Sequence, residues 1–123
     1  MTITLNHTIV PARDKESAAR FFAQIFGLPF EGPSGHFAPV RVNDTLTLDF
    51  ADSEAAIVSQ HYAFHVSDAE FEAILQRVQA AGLAFGSGPR SLDNGKLNDW
   101  NGGRGFYFED PDGHVIELMT VPQ

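Results

Sequence analysis

Residues 7–14 read HTIVPARD and residues 61–68 read HYAFHVSD, and the fold follows from laying one segment over the other. His61 follows His7 by 54 positions and Asp68 follows Asp14 by the same 54. A strand carrying a His and a helix cap carrying an Asp therefore recur in one register. Toward the end of each half, NDTLTLD (43–49) aligns with PDGHVIE (111–117), since Asp44 and Asp112 differ by 68, as do Asp49 and Glu117. The growth of the offset from 54 to 68 gives the second half 14 extra residues. The polar stretch Arg90 to Gly103 is the expected place for them, a long connection of the kind that carries function or disorder.

Outward from these segments, Ile3 to Val10 reads as a strand, with Ile3, Leu5, His7 and Ile9 on one face and Pro11 stopping it. Asp14 is placed to cap a helix running to about Gly27, because Ala18, Phe21, Phe22, Ile25 and Phe26 recur at helical spacing. Phe37 to Val42 and Leu46 to Phe50, joined through Asn43-Asp44, form a hairpin. The second half repeats the order. A strand starts near His61, Asp68 caps a helix with Phe71, Ile74, Leu75 and Val78 on one face, and Gly82 closes that helix. A short run at Leu83 to Phe85, a loop from Gly86, a strand at Gly105 to Glu109, the turn Asp110 to Gly113 and a last strand to Val121 complete it. The expected class is α+β: one domain over residues 1–123, with halves at 1–52 and 57–123 related by a pseudo-twofold axis.

Composition narrows the function classes. At 123 residues the chain holds one core and not two independent ones. It has no Cys, so disulfides, thiolate nucleophiles and thiolate metal ligands are excluded, and any metal site must use His, Asp or Glu. A formal charge of -8 with eight scattered basic residues excludes a phosphate-backbone partner, so no nucleic acid is expected. There is no basic, apolar leader and no apolar run of the ~20 residues a bilayer requires. No membrane association and a cytoplasmic location are the resulting expectations.

The chemistry lies in the repeat. Under a pseudo-twofold axis His7 pairs with His61 and Asp49 with Glu117, which puts two imidazoles and two carboxylates on one axis. That donor set suits one divalent Zn, Ni, Co, Mn or Fe(II), with water or substrate completing the shell. Alternation agrees: Val115, Glu117 and Met119 lie opposite Ile116 and Leu118, and Asp49 lies opposite Leu48 and Phe50. A lone strand His is more often structural than ligating; four repeat-related donors reverse that reading.

In LNHTIVPARD, GLPF, HYAF and GFYFEDPDGHVIEL the chain resembles the vicinal oxygen chelate superfamily over nearly its whole length. That group includes glyoxalase I, fosfomycin-resistance transferases, extradiol dioxygenases and bleomycin-resistance proteins. The resemblance implies a fold of two βαβββ modules, a homodimer, a small-molecule substrate and metal ligation by His7, His61 and Glu117. Asp49 occupies the place of a further carboxylate for which glyoxalase I uses Glu.

The resemblance implies first a glyoxalase-like lyase or isomerase, in which the metal chelates vicinal substrate oxygens while Glu117 or Asp49 shuttles a proton. The alternative is an extradiol-type Fe(II) dioxygenase, because Tyr107 to Glu117 (Y-x-x-D-P-x-G-x-x-x-E) resembles that group's signature. The His expected shortly upstream is replaced by Asn98, Asp99 and Trp100. A third reading is a metal-free binding protein like the bleomycin-resistance members. Fosfomycin transfer is not expected, as Ser91 to Gly103 lacks a match to the phosphonate and potassium loop. His65, Trp100, Arg104 and Tyr107 are the candidate substrate contacts. His65 shares the face of His61 but lies off the repeat, since Pro11 stands 54 residues before it. His114 is expected at the surface, and His36 in a loop carries no signal.

Overall fold

The computed structural model describes residues 2–123, which divide between Ile57 and Val58 into two compact units. The first contains β1 (His7–Ala12), α1 (Lys15–Phe26), β2 (Phe37–Arg41) and β3 (Thr47–Asp52). The second contains β4 (His61–His65), α2 (Asp68–Ala80), β5 (Gly105–Glu109) and β6 (Val115–Met119), with a short 3-10 turn at Trp100–Gly102. Each unit is an α+β module with one three-stranded sheet, ordered β1-β3-β2 in the first and β4-β6-β5 in the second. In both, the outer pair β1·β3 or β4·β6 is parallel and the other is an antiparallel hairpin. No helix among the described residues is long and apolar enough to cross a membrane.

The repeat holds rung by rung. His7 faces Thr47 and His61 faces Val115, while Pro39 faces Asp49 and Tyr107 faces Glu117. Every partner moves by 54 in the first strand and by 68 in the other two. The 14 additional residues fall between α2 and β5, where the connection spans 81–104 against 27–36 in the first module.

The helices depart from that register. Asp68 is not the cap of α2: the N-cap is Ser67, whose Oγ accepts from Glu70 N–H while the Glu70 carboxylate accepts from Ser67 N–H. In the first module Asp14 does cap α1, accepting from Glu16 and Ser17. Caps therefore repeat at 53, one fewer than strands, because β4 is one residue shorter than β1 before its helix begins. The buried faces follow the caps: Ala18, Phe22 and Ile25 of α1 answer to Phe71, Leu75 and Val78 of α2.

Three other expectations need correction. β1 starts at His7, so Ile3 and Leu5 lie outside it, exposed. Pro11 does not end it, because β1 is an edge strand where a missing N–H is tolerated, and pairing continues to Ala12. Leu83–Phe85 is not a strand. Only Gly86 pairs, its N–H and C=O both bonded to Tyr107. There the chain passes so close to Ser91 that a Cβ on Gly86 would lie 1.6 Å from the Ser91 carbonyl oxygen, so the backbone turns away after one rung.

Even-numbered strand residues make the cores: Ala38, Val40, Leu48 and Phe50 in the first module, Phe106, Phe108, Ile116 and Leu118 in the second. Phe106 meets Phe71 of α2 edge-on, ring centroids 5.3 Å apart. The odd-numbered positions form the opposite face of each sheet and carry the candidate site.

Candidate functional site

In the second module Glu117 lies on the central strand β6, flanked across the sheet by Ala63 and Tyr107. It is 4% exposed, whereas the His61 side chain is half exposed at 50%. His61 Nε2 lies 3.0 Å from Glu117 Oε1. Gln123 Nε2 donates to Glu117 Oε2 at 3.4 Å, and Tyr107 faces Glu117 across the sheet. A carboxylate removed from water needs such partners, because an uncompensated buried charge is strongly unfavourable. Burial first, and the adjoining Glu117 carboxylate second, hold the Tyr107 phenol far above the usual phenol range. Tyr107 therefore keeps its proton at neutral pH and remains a donor.

The long connection 81–104 delivers an aromatic wall to this cluster. Asn94 Oδ1 accepts from Ser87 N–H and Lys96 N–H, and Asn98 Nδ2 donates to the Ser87 carbonyl. Asn98 also pairs with Gly105 through the backbone. So braced, the segment sets the Trp100 ring edge-on to Tyr107 with centroids 5.9 Å apart, and Trp100 stays 43% exposed. The His61 ring lies 5.8 Å from Tyr107 on the same face.

The remaining candidates lie elsewhere. His65, at the far end of β4, meets the Thr120 carbonyl through Nε2 at 3.2 Å. Arg104 is engaged with α2, bonded to Glu72 at 3.0 Å and Asp68 at 3.4 Å, with its guanidinium over the Phe71 ring. In the first module His7 is exposed, its Nδ1 2.8 Å from Asn6 Oδ1. Asp49 stands between Ile9 and Pro39, neither of which offers a side-chain donor. Among the described residues no group of three or more His, Asp or Glu side chains is assembled for a metal. The pair brought together is His61 and Glu117.

His114 is not at the surface. It is fully buried, its Nδ1 accepting the Gln60 N–H at 3.0 Å and its ring edge-on to Tyr62. Its parity with Ile116 and Leu118 was the signal for this: residues two and four places before those core positions point the same way. The neighbouring turn residue Asp110 is buried too and accepts from the N–H groups of Asp112 and His114.

Comparison with known proteins agrees with this architecture. The sequence profile of the Glyoxalase/Bleomycin resistance protein/Dioxygenase superfamily matches residues 4–118. The chain is 28% identical to the glutathione transferase FosA of Serratia marcescens, covering 96% of this chain and 81% of that protein. Among solved structures, the oxidase ChaP-H2 superposes with a TM-score of 0.94 at 48% identity, covering 99% of this chain and 96% of its own. The oxidase ChaP-H1 gives 0.93 at 43% identity, covering 98% of both chains. With the repeat, the sheet register and the profile in agreement, this chain belongs to the Glyoxalase/Bleomycin resistance protein/Dioxygenase superfamily.

Proposed function

We propose that this protein is a metal-dependent oxidase, acting with dioxygen on a small organic substrate that carries two vicinal oxygens. The observation that carries the reading is the His61–Glu117 pair: a half-exposed imidazole nitrogen and a buried carboxylate oxygen 3.0 Å apart, on one sheet face beside an aromatic wall. Both atoms are lone-pair donors of the kind a divalent metal takes, and the buried carboxylate lacks a Lys or Arg partner among its hydrogen bonds, so the donor set fits a cation. His61 and Glu117 would hold it. When bound, such an ion supplies a Lewis acid with positions open to substrate oxygens and, as Fe(II), to dioxygen.

The chain's own residues supply the rest. Tyr107, held protonated across the sheet from Glu117, is placed to donate to the carboxylate. Trp100, 43% exposed and backed by the buried Tyr107 ring, offers flat apolar surface to a substrate beside His61. The high identity to two proteins named oxidases supports the oxidative reading over the lyase, as does the Tyr107-to-Glu117 signature. A homodimer belongs to the same proposal.

The glyoxalase-like lyase remains the second reading, favoured by Asp49 standing at the repeat position of Glu117. Turnover of catechol-type and hemithioacetal panels, with and without oxygen, separates the two for wild type and Asp49→Ala after loading with Fe(II), Mn, Co, Ni or Zn. Oxygen-dependent turnover that survives Asp49→Ala is expected. Oxygen-independent isomerisation that collapses in Asp49→Ala would replace the oxidase with the lyase.

A further inference from the structure

β4 begins at His61, and the residues immediately before it are tied to the turn between β5 and β6. Val115 N–H donates to the Gln60 carbonyl at 2.8 Å, Ser59 Oγ to the Gly113 carbonyl at 2.7 Å, and Gln60 N–H to His114 Nδ1 at 3.0 Å. His114 is itself fixed. Its N–H donates to Asp110 Oδ1 and its carbonyl accepts the Asp110 N–H, each at 2.9 Å, and its side chain has no exposure to solvent.

The first module repeats the backbone part of this arrangement and omits the side chain. Thr47 N–H donates to the Asn6 carbonyl and Val42 N–H to the Leu46 carbonyl, each at 2.9 Å, which are the counterparts of the Val115 and Asp110 bonds. At the place of His114 stands Leu46, which has no side-chain acceptor for the residue before the strand. His7 instead meets the side chain of its own neighbour, Asn6.

We infer that His114 is a positioning residue for His61: through the Gln60 amide it fixes the chain one residue ahead of the strand start, and so fixes the Cα–Cβ direction from which His61 reaches Glu117. This rests on the reading of His61 as a metal-binding residue. A backbone N–H left without its acceptor beside a buried core would draw the segment toward water, and the imidazole would swing with it.

The test compares wild type with His114→Leu, which installs the residue of the first module, and with His114→Asn, whose Oδ1 can accept in place of Nδ1. Amide hydrogen exchange is read on the metal-free protein, and Mn(II) and Co(II) affinities by calorimetry. In His114→Leu the Gln60 amide is expected to exchange about fivefold faster or more, the equilibrium factor one hydrogen bond is worth. Metal affinity should fall about 10- to 100-fold, the range for residues that orient a ligand. His114→Asn should restore both to within a few-fold. Faster exchange with unchanged affinity, or unchanged exchange, overturns the inference. Should His114→Leu not fold, His114→Met carries the same expectation, as its flexible chain fills the space without a strong acceptor. If wild type takes up neither metal, the reading of His61 as a ligand fails separately. Positioning is then judged on the metal-free protein, where an unchanged His61 Nε2 NMR shift in His114→Leu would end it.

Discussion

The two modules share a backbone and divide the chemistry. Glu117 is buried, opposed by Tyr107 and beside His61, whereas its counterpart Asp49 is opposed by Pro39 and sits on a partly open face. The packing is unequal in the same way: Phe106 and Phe108 fill positions that Ala38 and Val40 take in the first module. Only the second module carries the long connection that brings Trp100 to Tyr107. A duplicated backbone thus leaves side chains free to diverge. One copy concentrates the partners that a buried carboxylate requires, and the other keeps the hydrogen-bond ladder alone.

The largest handle on this difference is the core. Phe106→Ala gives the second module the residue of the first, and should lower stability by about 3–5 kcal/mol, the usual loss for a buried Phe, measured by urea unfolding. Ala38→Phe, the reverse change, should overpack the first module and destabilise it by about 1–3 kcal/mol. A Phe106→Ala loss under about 1 kcal/mol would mean the two cores are interchangeable after all.

The helix starts give a smaller and sharper comparison. Ser67→Ala and Asp14→Ala should each cost about 1 kcal/mol, the typical worth of an N-cap side chain. Asp68→Ala should cost only a few tenths, the scale of an exposed charge near a helix terminus or of a surface ion pair. Thermal unfolding in which Asp68→Ala is the more damaging would put the helices back on the 54-residue offset.

The smallest effect is one of sign. Hydrogen bonds from the Lys15 N–H and ammonium hold Asp52, in the first module, below the ordinary carboxylate range, whereas burial raises Asp110, in the second, above it. A depressed folded-state pKa gives stability that is present above the unfolded value and lost as pH falls through the folded one. A raised one does the opposite: stability is gained as pH falls through the window above 3.8, because the folded state then binds the proton more tightly. Asp52→Asn should therefore lower the urea midpoint at pH 7, with the gap closing at acid pH. Asp110→Asn, whose amide oxygen can still accept from Asp112 and His114, should hold or raise it at pH 7. Shifts of the same sign in both would break the contrast.

Much of the fold is legible in the residues alone. The two offsets, 54 and 68, set strand pairing because alternation leaves a strand no freedom: a one-residue slip would turn Glu117 and Leu118 inside out. The meeting of His61 with Glu117 follows from the same parity. Three things are hidden, each for a physical reason. Pro11 reads as a stop, yet an edge strand does not need its N–H. Asp68 and Ser67 are both good caps, and the choice turns on the reciprocal bond that Glu70 makes three places after Ser67. His114 comes after a tight turn, and a polar residue there reads as solvent-facing unless its parity is carried through from the core.

The one-residue slip between strand and helix registers bears on how such a chain can be recombined. An α-helix turns about 100° per residue, so grafting α2 into the place of α1 at the strand offset would present the Glu72 and Gln76 flank to the sheet where Ala18 and Phe22 belong. At an offset of 53 the apolar faces coincide. The crossover points for shuffling or permuting halves of this protein therefore lie at the strand-to-helix junctions, 12–14 and 65–67, where a residue can be dropped without rotating the helix against its sheet.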